Sequence, residues 1–129
     1  DLSKAFDCVD HSVLLDKLES HGIRGVPLKW LGSFLSHRSQ VVQISNQFSK
    51  PVNLNYGVPQ GSILSPVLFL LYVNDIGSSL LYGKVVQYAD DTTLCFSGKS
   101  SEVLEQQAFV DLNNYVQYFQ SLSLNKLIK

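Results

Sequence analysis

The sequence predicts an α+β fold in which antiparallel strands pack on helices. Three observations point there. Apolar residues recur at helical spacing over residues 12–35. The pattern then changes to short β-prone runs separated by polar turns at 40–56 and again at 84–96. It returns to helical spacing near residue 101.

The elements follow in order. Ser12 to Gly22 reads as a helix with Leu14, Leu15 and Leu18 on one face; Asp10 serves as its cap and Gly22 as its stop. His11 reads as a surface or capping residue. A second helix starts at Pro27, a good first-turn residue. Leu28, Leu31 and Leu35 line one side, broadened by Trp30 and Phe34. Gln40 to Ser45 and Pro51 to Tyr56, joined by the polar Asn46 to Lys50, predict a hairpin. Gly57 to Ser65 is a loop, with Ser65 as cap and Pro66 as first residue of a buried helix, Val67 to Ile76. Lys84 to Tyr88 is a strand, Asp90-Asp91 a turn, and a return strand runs to Phe96. A last helix covers about Ser101 to Gln120, with Leu104, Ala108, Leu112, Tyr115, Val116 and Phe119 at helical spacing.

With 129 residues, 45% of them hydrophobic, the chain is one domain's worth with enough apolar material for a core. A net charge of −1 argues against a self-sufficient nucleic-acid binder, which shows a basic face. It leaves room for an active-site piece whose basic partners lie elsewhere. Cys8 and Cys95 have no metal-ligand spacing and read as free thiols of an intracellular, reducing compartment, nucleus or cytoplasm. The longest apolar run, Val67 to Val73, is far short of the ~20 residues of a membrane helix, so no membrane is expected. The chain has no methionine and opens directly on a charged motif, so it reads as a piece of a longer protein.

Three stretches carry chemistry: Asp1-Leu2-Ser3-Lys4-Ala5-Phe6-Asp7, Gly57-Val58-Pro59-Gln60-Gly61-Ser62 and Tyr88-Ala89-Asp90-Asp91. Adjacent carboxylates at a hairpin tip repel each other and make sense around a hard cation such as Mg²⁺. Alone, an Asp-Asp pair is more often a solvated turn.

Together the three stretches resemble motifs A, B and C of reverse transcriptases, specifically those of non-LTR (LINE-type) retrotransposons. Leu64-Ser65-Pro66 and Leu68-Phe69 extend the second match. The resemblance implies a truncated polymerase palm over residues 1–129: an antiparallel sheet packed on helices, without fingers or thumb. It implies an RNA-directed DNA polymerase that extends a DNA primer on an RNA template with dNTPs. Polymerases of this kind use two Mg²⁺ ions ~4 Å apart, with Mn²⁺ as a possible substitute. Asp1 and Asp90 would be the metal ligands and Asp91 a supporting acid, because successive strand side chains face opposite ways. Asp7 would not be a ligand.

Phe6 would be a steric gate against a ribose 2′-hydroxyl, or else a core aromatic. Ser3 to Ala5 would offer backbone N–H groups to the triphosphate. Gln60 would reach the nascent base pair and incoming nucleotide, with Gly61 allowing close backbone approach. Tyr88 would support the primer strand or serve in packing. Leu122-Ser123-Leu124-Asn125 resembles the start of a fourth motif. Its usual lysine is displaced: Ile128 stands there, between Lys126 and Lys129, and Lys129 is the candidate phosphate contact. Tyr118 and Phe119 stand where a tryptophan is usual. The alternative is a non-catalytic remnant acting as an interaction or nucleic-acid-binding module. With fingers and thumb missing, the fragment by itself is expected to be weakly active or inactive.

Overall fold

The computed structural model describes residues 5–88 and 91–122. Over these described residues it is mixed α+β, with four α-helices and short antiparallel ladders. Asp1, Asp90, Lys129 and the 123–129 segment lie outside the described residues.

A 3₁₀ turn, Ala5–Cys8, leads into α1, His11–Ser20. Asp10 caps α1 as the sequence predicts: its Oδ1 accepts from the N–H of Ser12 at 2.9 Å and of Val13 at 3.2 Å. Leu14 and Leu18, one turn apart, are fully buried. Helix α2, Val26–Leu35, has Pro27 in its first turn and packs on α1 where Gly32 meets Leu15. Leu28, Leu31, Phe34 and Leu35 face the core. Trp30 does not. It is 57% exposed and only stacks on Phe34, with ring centroids 5.9 Å apart.

The predicted hairpin is two nested ladders. The outer joins β1, Arg38–Gln40, to β4, Val52–Leu54; the inner joins β2, Gln43–Ile44, to β3, Gln47–Phe48. The single strand expected over 40–45 is split because the registers disagree. Between the ladders, Val41 and Val42 face Ser49, Lys50 and Pro51, so the return side carries one extra residue. Pro51 has no N–H to donate, and the Ser49 hydroxyl substitutes for a ladder group by accepting from Val42 N at 2.9 Å.

Helix α3, Leu64–Val73, is the centre of the core: Leu68, Phe69, Tyr72 and Val73 are buried. It starts earlier and ends earlier than predicted, with a separate 3₁₀ turn at Ile76–Ser79. Ser65 is not the cap. Its N–H donates to the Ser62 hydroxyl at 3.1 Å, and its own hydroxyl, buried, donates to the Pro59 carbonyl at 2.6 Å. Pro66 is tolerated as the third helical residue because the first-turn N–H groups have no helical partner.

Strands β5, Lys84–Tyr88, and β6, Asp91–Cys95, form the third ladder, with Tyr88 paired to Asp91. Asp91 is therefore a strand residue rather than part of a turn. Among the described residues the three ladders are separate two-stranded pairs. Helix α4, Ser101–Ser121, closes the core through Phe119, while Leu112, expected on that face, is 49% exposed.

Asp111 takes the inward place instead and is fully buried. Its carboxylate accepts from the backbone N–H groups of Leu81, Tyr82 and Gly83 at 2.8, 3.0 and 2.6 Å. Burial pushes its pKa up, but these three donors outweigh that and hold it below the usual carboxylate value. The segment entering β5 is thereby tied to α4.

Two polar clusters tie helices together. The Tyr72 hydroxyl donates to the Leu122 carbonyl at 2.6 Å and accepts from Asp10 N at 3.2 Å; burial pushes its pKa up to about 12. The Lys17 ammonium bonds the Tyr72 carbonyl at 2.7 Å, the Asp75 carboxylate and the Tyr118 hydroxyl. Burial raises the Asp75 pKa, yet the bonds from Lys17 and Tyr118 prevail and lower it. No described helix is long and apolar enough to cross a membrane.

Tyr72→Phe is expected to cost about 1–3 kcal/mol, because Asp10 N–H and the Leu122 carbonyl lose their shared partner; urea unfolding of the two proteins measures this. Asp10, Asp75 and Asp111 all have lowered folded pKa values. Their contribution is present above the ordinary carboxylate pKa, about 4, and is lost as the pH falls through the lowered folded values. The urea midpoint should therefore fall as the pH drops below about 4, and fall less steeply in Asp75→Asn.

Candidate functional site

The first and second motifs meet through backbone. Val58 N donates to the Phe6 carbonyl at 2.8 Å, Gly57 N donates to the Val9 carbonyl at 2.7 Å, and Tyr56 bridges to Asp10. The approach is so close that a Cβ on Gly57 would lie 2.9 Å from Asp7 Cα and from the Asp7 carbonyl oxygen, and 3.0 Å from the Phe6 carbonyl oxygen. Gly57 also has φ +84°, where a side chain is strained. Its carbonyl is latched from two sides, by His11 Nε2 at 2.8 Å and Arg38 Nη1 at 3.1 Å. His11 thus holds the joint between two motifs rather than standing at the surface as a cap.

This joint brings Phe6, Gln60 and Gly61 to one cavity of about 510 Å³, closed on the α3 side by Ser65 and Pro66. The volume suits a small-molecule site. Phe6 lies with its ring face on Phe69, centroids 4.8 Å apart and planes 23° from parallel. Phe6 thus packs on a core aromatic and also forms part of the cavity wall. Gly61 has φ +79° and open space where a Cβ would be, so backbone is presented at the wall without an obstructing side chain.

Gln60 is exposed and stands between that cavity and a second, polar one of about 580 Å³ lined by Asp7, Arg38, Gln40 and Tyr56. Gln60 Nε2 donates to Asp7 Oδ1 at 2.7 Å.

The third motif enters through the β5–β6 ladder. Alternation puts Tyr88 and Asp91 on its exposed face, with Val85, Gln87, Thr92 and Leu94 turned inward. Tyr88 is 84% exposed, which excludes the packing role within the described residues. Asp91 is exposed as well. Asp1 and Asp90, expected to converge here, fall outside the described residues, as do Ser3 and Lys129. Among the described residues no group of three or more His, Cys, Asp or Glu could hold a metal ion. The acids that the first and third motifs would contribute, Asp1 and Asp90 with Asp91 in support, are carboxylates, a donor type that suits a hard divalent cation.

Sequence reasoning missed the Asp7–Gln60 bond, the Arg38 latch and Asp111. The first two join residues 53 and 19 apart and leave no local signal. Asp111 had one: it falls on the helical stripe of Leu104, Ala108 and Tyr115, an acid where an apolar residue belongs.

The profile described as reverse transcriptase (RNA-dependent DNA polymerase) matches residues 1–126. Three Drosophila melanogaster proteins are similar to this chain. The probable RNA-directed DNA polymerase from transposon BS is 32% identical over 75% of the chain and 11% of its own length. The one from transposon X-element is 33% identical over 77% of the chain and 11% of its length. The RNA-directed DNA polymerase from mobile element jockey is 31% identical over 97% and 14%. The chain spans only about a tenth of the length of these curated relatives.

Gly57→Ala should cost at least about 1–3 kcal/mol, since the new methyl meets backbone. Gly61→Ala meets nothing and should cost about 1 kcal/mol, from its φ alone. Urea unfolding of both variants checks the contrast.

Proposed function

This chain belongs to the reverse transcriptase family, of the non-LTR retrotransposon type, and we propose that it is the palm portion of an RNA-directed DNA polymerase. The observation that carries the proposal is the cavity wall built jointly by Phe6 of the first motif and Gln60 and Gly61 of the second. Two segments far apart in sequence are held together by main-chain bonds, at the residues where the motif resemblance implies a nucleotide.

In this reading the sugar and base of an incoming dNTP occupy the cavity. Phe6, braced by Phe69, excludes a 2′-hydroxyl, and a braced ring excludes better than a mobile one because it cannot turn aside. Gln60 borders the nascent base pair, and the open backbone at Gly61 permits close approach. Asp1 and Asp90 would hold divalent cations, with Asp91 in support. Such ions stabilise the attacking and leaving oxygens of an in-line phosphoryl transfer. Tyr88, exposed beside Asp91, would contact a primer strand. RNA template, DNA primer and dNTP are the proposed partners, with Mg²⁺ or Mn²⁺ as cation and Lys129 as a phosphate contact. Fingers and thumb segments are proposed to complete the enzyme.

Extension of oligo(dT) on poly(A) by a polymerase containing this segment tests the proposal. Asp90→Asn should abolish extension, and wild-type rates in that variant would overturn the assignment. Phe6→Ala should reduce discrimination against ribonucleotides by roughly 10- to 200-fold, the scale of a lost steric contact. The 129-residue chain alone should extend the primer weakly or not at all.

A further inference from the structure

We propose that Asp111 is a positioning residue for the acids of the third motif: from α4 it clamps the base of the β5–β6 ladder and so sets where Asp90 and Asp91 stand. The proposal rests on the reading of those acids as the ones that serve divalent cations, and adds what holds them in place. Asp111 belongs to none of the three motifs.

A charge taken out of water is costly unless its oxygens are satisfied. Asp111 is fully buried, on a helical stripe shared with Leu104, Ala108 and Tyr115. Among the described residues no lysine or arginine forms an ion pair with it. Its partners are three consecutive main-chain N–H groups. Oδ1 accepts from Leu81 at 2.8 Å, and Oδ2 accepts from Tyr82 and Gly83 at 3.0 and 2.6 Å. An apolar residue here would add burial without fixing a direction. Charge-assisted bonds from successive residues to one planar group fix both the position and the heading of the chain as it enters β5.

Packing closes the other side of the same base. A Cβ on Gly83 would lie 2.6 Å from Phe96 Cε1, so the Phe96 ring, just past β6, sits directly on the Gly83 backbone. Val85, beside the base, packs against the core. Among the described residues the far end has no comparable anchor. Tyr88 and Asp91 are exposed, and the buried Gln87 Nε2, one rung before them, has no hydrogen-bond partner. The ladder is therefore a lever held at its base. At the rise of an extended strand, Gly83 to Tyr88 spans about 17 Å, and a tilt of about 3–4° moves the far end by about 1 Å. A misplacement of about 1 Å can lower a rate by about 100-fold. The cavity beside Phe6 is built from the first two motifs, joined at Gly57. Loosening the ladder base should displace the acids and leave that cavity as it is.

Primer extension on poly(A)/oligo(dT) by a polymerase containing this segment tests this through kcat and the KM for dTTP. Mn²⁺ binding is measured separately, without nucleotide, by electron paramagnetic resonance. Asp111→Ala should lower kcat by roughly 10- to 100-fold, leave the KM for dTTP unchanged, and weaken Mn²⁺ binding by roughly 10-fold, the scale of a lost supporting partner. Asp111→Asn keeps one oxygen for Tyr82 and Gly83 and should lose less on both counts. Gly83→Ala drives the base against Phe96 while leaving the carboxylate intact, and should reproduce the fall in kcat. Leu35→Ala, which opens the buried core at α2, should leave kcat unchanged at temperatures where circular dichroism shows the protein folded. Where Asp111→Ala fails to fold, Asp111→Asn and Gly83→Ala decide the matter by the same readouts.

An undiminished kcat in the folded Asp111 and Gly83 variants overturns the proposal. So does a fall in kcat of equal size in Leu35→Ala, or a parallel rise in KM, since either marks a general loosening. If the unsubstituted polymerase binds Mn²⁺ no better than its Asp90→Asn variant, the cation reading of the third motif fails, and this role fails with it.

Discussion

The contact between Gly57 and the backbone of Phe6 and Asp7 is the constraint on which the rest of the arrangement depends. Main chain meets main chain there at a separation that admits no side-chain atom. Two backbone bonds, Gly57 to Val9 and Val58 to Phe6, fix the register. His11 and Arg38 hold the Gly57 carbonyl, so the second motif is anchored to α1 and to the outer ladder at once. Phe6 then has one place to go, onto Phe69. Gln60 follows within hydrogen-bond reach of Asp7, and the cavity wall is complete.

A second layer of constraint stands behind the first. Tyr72 on α3 touches the Asp10 amide at the head of α1 and the Leu122 carbonyl beyond α4. Lys17 reaches from α1 to Asp75 and Tyr118. The Tyr72 bonds lie in or beside the core and the Lys17 bonds at its solvent edge, and together they pin helices against sliding. Asp111 does the same for the third motif by collecting three main-chain donors just before β5. The candidate site is thus carried by loops and strand ends, braced by the polar groups of the elements behind them.

Much of the fold was legible in the sequence, and the reasons are local. Helix α1 was announced by Asp10 and the Leu14–Leu18 spacing, α4 by its apolar stripe, and the β5–β6 ladder by β-prone runs around the acidic pair. The errors came where geometry between segments decides. The strand over 40–45 splits because a one-residue mismatch and Pro51 interrupt its partner. The start of α3 moves because the Ser62 hydroxyl, not Ser65, takes the free N–H. Trp30 and Leu112 face outward because the core against those helices is filled by Leu28, Leu31 and Phe119.

Sequence by itself determined the family, the α+β class and the three motifs, because these are properties of residue identity, order and spacing. It also marked Phe6, Gln60 and Gly61 as residues to bring together. Only the tertiary structure decided that Phe6 is braced by Phe69, that Gln60 turns its nitrogen to Asp7, and that Gly57 is where the motifs touch. The physical reason is range. A cap or a helical stripe is closed within a few residues, whereas a bond spanning 53 or 62 positions exists only after the helices between have packed and set its two ends at hydrogen-bond distance.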